Sequence, residues 1–245
     1  SRETAFIHAI LSAGVVHGLT EACSGGNLTV CSCDRSQDGK LTSEGWKWGG
    51  CSDNVKFGVV FARHFVDAAE KESSENRDVK NAMNLHNNHV GRLAVSHHMI
   101  RSCRCHGISG SCELKTCWRK LPSFANIGNY LKKKYAKSVQ ISVKARRKLR
   151  RRGKRKVLVR KNDLVYLNKS PNYCVEDRAN KIFGTAGRLC NKTSPGPDGC
   201  NLLCCGRGYN TQVITHVERC HCKFHWCCYV TCRTCKTIME IYTCK

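Results

Sequence analysis

The stretch Cys105-His106-Gly107-Ile108-Ser109-Gly110-Ser111-Cys112 lies between two further cysteines, Cys103 and Cys117. Cysteines seven apart with two glycines between them can close a very tight loop. The outer pair can close a second ring around the first. The expected product is a short, doubly bridged hairpin (103–117) that displays a serine at its exposed tip.

Working outward, the chain has 20 cysteines in 245 residues, roughly 8%, near the level of a disulfide scaffold. The count is even, as complete pairing requires. The adjacent pairs Cys204-Cys205 and Cys227-Cys228 argue against zinc, whose thiolate ligands usually stand a few residues apart; one CxxC, Cys232 and Cys235, has no matching second. Disulfides place the protein outside the cytosol. No signal peptide is visible and Ser1 is not an initiator, so the chain is expected to be part of a longer secreted protein. No run of 18 apolar residues appears, so no membrane span is expected.

Apolar residues recur at helical spacing through the first half. Phe6, Ile7, Ile10, Leu11, Val15 and Leu19 define one helix. Val55, Val59, Ala62 and Val66 define a second, with Ser52-Asp53 as its cap. Val79, Met83, Val90 and Ala94 mark a third that runs to about Ile100, and Phe124, Ile127, Leu131 and Tyr135 a fourth. A glycine-rich excursion from Cys23 to Cys51 carries Trp46 and Trp48. These stripes read as ordinary core packing.

The net charge of +24 is concentrated. Between Lys132 and Lys161 stand 16 Lys or Arg and no acid. Such a run has little to bury and repels itself, so it is expected to be an exposed linker. It divides the chain into 1–143, a basic linker 144–162, and 163–245. Leu164-Val165-Tyr166-Leu167 then suggests a short strand. Between Cys174 and Cys244 come twelve cysteines, a density that replaces an apolar core with covalent links. Nesting Cys220 with Cys235 and Cys222 with Cys232 gives a second, longer hairpin (220–235). Cys227-Cys228 falls near its tip, with Phe224, Trp226 and Val230 alternating toward one face. A two-stranded hairpin has no second layer to hide such residues, which favours a contact surface.

The octapeptide resembles the lipidation loop of the Wnt family of secreted signalling proteins. The likeness continues in family order through Glu44-Gly45-Trp46, Cys51-Ser52-Asp53, Met83-Asn84-Leu85-His86-Asn87-Asn88, Cys117-Trp118, Ser170-Pro171-Asn172-Tyr173-Cys174, Asp198-Gly199-Cys200, Gly206-Arg207-Gly208 and Cys222-Lys223-Phe224-His225-Trp226-Cys227-Cys228. It covers essentially the whole chain, with roughly the first quarter of a family member, including its first helix, preceding Ser1.

The resemblance implies a disulfide-rich α+β fold of two domains. A helical N-terminal domain would carry the lipidated hairpin, or thumb, and a cysteine-rich β-hairpin domain would form the index finger. It implies the pairs Cys23–Cys31, Cys33–Cys51, Cys103–Cys117 and Cys105–Cys112 in the first, and Cys174–Cys205, Cys190–Cys200, Cys204–Cys244, Cys220–Cys235, Cys222–Cys232 and Cys227–Cys228 in the second. Ser109 would bear a palmitoleoyl ester added by a membrane-bound acyltransferase, and lipid-carrier proteins would accompany secretion. The acyl chain, with His106, Gly107, Ile108 and Gly110 around it, would engage the cysteine-rich domain of Frizzled receptors. Phe224, Trp226, Cys227, Cys228 and Val230 would contact its opposite side, and a co-receptor related to the low-density-lipoprotein receptor would bind elsewhere. The implied protein is an extracellular, matrix-associated developmental ligand and not an enzyme.

Three sequons, at Asn27, Asn168 and Asn191, would carry N-glycans; Pro171 after the second makes it the least favourable. The basic run has three readings. Arg146, Arg147, Lys148, Arg150, Arg151, Arg152, Lys154, Arg155 and Lys156 suit heparan sulfate proteoglycans, with binding that weakens in salt. Arg152-Gly153-Lys154-Arg155 has the form cut by furin-like proteases. A solvated loop is the third. Other classes fit less well. An unacylated heparan-sulfate-binding matrix or growth-factor-like protein would share the charge but leave the serine loop unexplained. In a serine hydrolase, Gly107-Ile108-Ser109-Gly110-Ser111 would be a nucleophile elbow, but its fifth residue is serine and it lies between cysteines. Nucleic-acid binding would need aromatics in the basic run, and only Tyr135 and Tyr166 flank it.

Overall fold

The computed structural model describes residues 1–42, 44–72, 79–141 and 159–245. The chain divides into two compact units, Ser1–Ser170 and Pro171–Lys245.

The first unit is a helical assembly from which a hairpin projects. Helix α1 (Arg2–Ser24) is capped by Ser1, whose hydroxyl accepts from the Thr4 N–H. Its buried face is made of small side chains, among them Ala5, Ala9, Ser12, Ala13 and Val16. Small residues let helices approach closely. A Cβ at Gly91 of α4 (Val79–His97) would overlap the Ala9 carbonyl, so the two backbones touch there. By length and composition α1 would suffice to cross a bilayer, but this buried face packs into the protein core. Helix α2 (Val55–Val66) is capped by Asn54, whose side chain accepts from Phe57 N–H at 3.1 Å. The expected cap, Ser52-Asp53, is employed elsewhere: Asp53 accepts from Leu121 N–H at 2.6 Å and Ser52 from Arg119 N–H at 3.2 Å. A short α3 (Ala68–Glu72) follows. Helix α5 (Phe124–Ala136), capped by Ser123, adds Ile127 and Leu131 to the core. Helix α4 stops at His97, short of the expected Ile100, because Ile100 opens a strand.

Polar side chains cross this core. Arg92 of α4 makes a two-pronged ion pair with Asp67, at 2.9 and 3.0 Å, with both side chains buried. Asn88 donates to the same carboxylate at 3.1 Å. A buried charge pair of this kind contributes modestly when complete but costs heavily when one partner is lost.

The second polar device sets the domain boundary. Asn87 donates to the Val165 carbonyl at 2.9 Å and accepts from the Val165 N–H at 3.0 Å, as a neighbouring strand would. His86 Nε2 bonds the Asp163 carbonyl at 2.8 Å. Strand β5 (Val165–Tyr166) also pairs in parallel with β4 (Val139–Gln140), and Leu164 lies in the helical core. Residues 163–170 therefore belong to the first unit, and the boundary falls at 170/171 instead of 162/163. Most of the anticipated linker, residues 144–158, lies outside the described residues.

The second unit has little apolar core. Its one cluster of buried residues among those described is Cys200, Cys204 and Cys244, with Cys190, Leu203, Tyr209 and Tyr242 against it. From it extends a ribbon of β9 (Tyr209–His225) and β10 (Tyr229–Cys244), flanked at its base by β8 (Leu189–Cys190). A small hairpin of β6 (Glu176–Asp177) and β7 (Ile182–Phe183) and a one-turn α6 (Cys200–Leu203) complete the unit.

Two stability predictions follow from α4. Arg92→Met, which leaves the buried Asp67 carboxylate without its counter-charge, is expected to cost about 3–5 kcal/mol in denaturant unfolding, and adding Asp67→Leu should recover much of it. Burial pushes the His86 imidazole below its ordinary value. The unfolded chain binds protons near pH 6.5 that the folded chain resists, so stability is complete above that pH and falls as pH drops through it. Urea midpoints should fall between pH 7.5 and 5.5, and His86→Gln should flatten that dependence.

Candidate functional site: two bridged hairpin tips

The first hairpin pairs β2 (Ile100–Cys105) with β3 (Lys115–Lys120) in antiparallel register. Cys103–Cys117 and Cys105–Cys112 are both bonded, one inside the other. Cys103 and Cys117 are direct cross-strand partners, so the outer bridge staples the ribbon and the inner one closes the loop. Within the loop, Gly107 N–H donates to Ser111 carbonyl at 2.8 Å and Gly110 N–H to Gly107 carbonyl at 2.9 Å. A Cβ at Gly107 would collide with Ser111, so the chain can turn back this tightly only at glycine.

Ser109 sits in a single 3₁₀ turn (Ile108–Gly110) with φ 55° and ψ 25°, a left-handed conformation rare outside glycine. Its side chain is exposed, and Ile108 beside it is 89% exposed. His106 and Gly110 are exposed and Gly107 is half-buried. The loop thus presents an apolar side chain and a hydroxyl outward. A hydrolase elbow would instead hold its serine between a buried strand and a helix.

The shaft has a third strand that the sequence reading did not anticipate. Strand β1 (Lys47–Trp48) pairs in parallel with β3, placing Trp48 beside Cys117. Trp46 and Trp48 meet edge to face with centroids 4.6 Å apart. Arg101 lies 5.0 Å over Trp46 and Arg119 5.8 Å over Trp48. Glu44 accepts from the Trp46 indole at 2.9 Å and faces Arg101 at 3.6 Å. The indole hydrogen bond, then the Arg101 charge, hold the Glu44 carboxyl below its ordinary value. This row of ring and guanidinium groups fixes the base of the hairpin. Its sequence signal was the alternation Trp46-Lys47-Trp48, which puts both indoles on one side of an extended chain.

In the second hairpin, Cys220–Cys235 and Cys222–Cys232 nest as expected. Val230 and Phe224 are direct cross-strand partners, and Tyr229 faces His225, whose ring stacks on it at 4.7 Å. Phe224 and Val230 are exposed, and Trp226, in the turn itself, is 94% exposed. Trp226 therefore belongs to the loop end and not to a strand face shared with Phe224 and Val230.

The pairs Cys23–Cys31, Cys33–Cys51, Cys174–Cys205, Cys190–Cys200 and Cys204–Cys244 are also bonded. The tenth implied pair is not. Cys227 and Cys228 are free, exposed thiols with sulfurs 3.1 Å apart, whereas a disulfide holds them near 2.05 Å. Neighbouring Cα atoms stand about 3.8 Å apart, closer than the roughly 4.4–6.8 Å usual for a bridge. Both residues instead take positive φ, 59° and 96°, to make the turn. The hydrogen bond shared with Cys227 pushes the Cys228 thiol pKa up.

Asn27, Asn168 and Asn191 are all exposed. At Asn191 the side-chain oxygen accepts from both the N–H and the hydroxyl of Thr193, each at 3.0 Å. The basic positions 146–156 and the Arg152–Arg155 cleavage motif lie outside the described residues.

The whole chain, residues 1–245, matches the model of the Wnt family. It is 58% identical over 249 residues to Wnt-16 of Bos taurus, covering all of this chain and 69% of that protein. It is 50% identical over 250 residues to human Wnt-2b, covering 63% of that protein. A solved structure of human WLS in complex with WNT8A aligns over the full chain and 78% of its counterpart, at 39% identity and a TM-score of 0.70. With the family model, these relatives and the doubly bridged serine loop all agreeing, the chain belongs to the Wnt family.

Proposed function

We propose that the chain is a secreted Wnt-type ligand that binds the Frizzled cysteine-rich domain through an acyl chain on Ser109 and through the tip around Trp226, Cys227 and Cys228. Wnt family members are signalling ligands. The observation that carries the reading is Ser109 itself, an exposed hydroxyl in a left-handed turn at the apex of two nested disulfides.

The physical case rests on burial. Each acyl CH₂ taken from water contributes about 0.8 kcal/mol. A palmitoleoyl chain therefore offers on the order of 10 kcal/mol before the costs of association. No single side chain here matches that. The bridges matter because a mobile loop would surrender part of the gain to ordering. The same lipid is unfavourable in water, so a carrier is required during secretion, a partner of the kind that accompanies WNT8A in its complex with WLS. Addition of the lipid requires a membrane-bound acyltransferase. N-glycans on Asn27 and Asn191, heparan sulfate on the basic run, a low-density-lipoprotein-receptor-related co-receptor and delivery to the extracellular matrix complete the reading.

Ser109→Ala is expected to weaken binding to the receptor domain by about a thousandfold or more, while denaturant stability stays unchanged because Ser109 is exposed. Intact-mass spectrometry decides the chemistry: active protein with an unmodified Ser109 would refute the mechanism. Trp226→Ala should cost about 2 kcal/mol of receptor affinity, as central aromatic anchors do, with little change in stability; unchanged affinity would remove the second tip from the contact.

A further inference from the structure

A lipid at the tip, and the ring contacts of Arg101 and Arg119 at the base, leave Arg104 and Lys115 without a role. Outside residues 132–161 the chain has 26 basic and 18 acidic residues, an excess of eight. The hairpin 100–120 carries five of those cations, Arg101, Arg104, Lys115, Arg119 and Lys120, against one acid, Glu113. Half of the excess is therefore on 21 residues.

Their placement is graded. Arg104 adjoins Cys105, and Lys115 is the cross-strand partner of Cys105. Both stand where the loop closes, with exposed Ile108 and Leu114 beyond them. At about 3.4 Å per residue, Arg101, Arg119 and Lys120 trail by roughly 10–17 Å. An interfacial element buries its apolar part about 5–10 Å into the boundary between headgroups and acyl chains. Insertion of the loop to that depth brings Arg104 and Lys115 level with the lipid phosphates. The trailing cations then lie beyond about one Debye length of that layer.

Orientation favours a fluid anionic layer over an acidic protein face. Arg104 pairs with Thr116 and Lys115 with Cys105, which are successive cross-strand positions. Successive positions point to opposite faces of a ribbon. A protein surface meets one face, whereas a headgroup layer surrounds both. A single acyl chain holds a protein to a membrane only marginally, and stable attachment takes a second signal such as a basic cluster.

We propose that hairpin 100–120 is a two-signal membrane-docking element. Arg104 and Lys115 pair with anionic lipid headgroups while Ile108 and the acyl group on Ser109 enter the apolar layer. The inference rests on the acylation of Ser109 argued above.

The test measures partition of the full secreted chain onto vesicles of phosphatidylcholine alone and of phosphatidylcholine with one-fifth phosphatidylserine, at physiological salt. The quantity compared is the gain conferred by phosphatidylserine. In the acylated chain, Arg104→Gln with Lys115→Gln should lower that gain by about tenfold or more. On Ser109→Ala, which no longer draws the loop into the bilayer, the same pair should lower it less than twofold. Arg150→Gln with Arg151→Gln, which removes equal charge elsewhere, should act by the same factor in both backgrounds. An equal effect of the Arg104/Lys115 pair in both backgrounds would reduce the shaft to net charge and overturn the proposal. So would an unchanged vesicle gain accompanied by weaker binding to the receptor domain, which would assign the cations to a protein face. Intact mass on each preparation separates the two readings: a missing acyl group sinks the lipidation, whereas an acylated chain indifferent to the Arg104/Lys115 pair sinks only this inference.

Discussion

A two-stranded ribbon in water has no second layer against which to bury its faces, and is marginally stable alone. Both candidate contact tips of this chain sit on such ribbons. The nested bridges at 103/117 and 105/112, and at 220/235 and 222/232, supply what packing cannot. Cross-links restrict the unfolded chain and typically contribute about 2–4 kcal/mol each. With that contribution the tips need bury none of their own side chains, and Ile108 and Trp226 remain free to make contacts elsewhere. Exposure of apolar residues is thus a consequence of covalent closure and not a packing fault.

The first hairpin has a further support that the second lacks. Strand β1 and the row of Arg101, Trp46, Trp48 and Arg119 widen its base and tie it to the Cys23–Cys51 excursion. The finger ribbon carries no such layer along its length; among the described residues β8 meets it only near Tyr242 and Thr243.

Cysteine spacing made both hairpins legible from residue order alone, because nested pairs allow few geometries. Helical periodicity likewise located α1, α2, α4 and α5. Three features escaped it for physical reasons. The basic run suggests a break before strand β5, yet β5 pairs with β4 and with the side chain of Asn87, a contact no periodicity reveals. The cap of α2 moved by one residue because Asp53 serves the Leu121 N–H. The bond implied between Cys227 and Cys228 is not formed: both residues take positive φ in the turn and their sulfurs stay 3.1 Å apart.

These features share one economy of polar groups. In the helical unit, three polar side chains of α4 are paired inward: buried Arg92 with Asp67, buried Asn87 with Val165, and half-buried His86 with Asp163. On the hairpins they are displaced outward, leaving cations along the thumb shaft and apolar residues at its end. Buried polar pairs specify which segments meet, since each mismatch leaves an unsatisfied group in a poor solvent for charge. Exposed ones specify nothing within the chain and are available to a partner. Hence the charge that organises the core is silent toward the outside. The charge on the shaft is held by ring contacts at Arg101 and Arg119 and reaches solvent at Arg104.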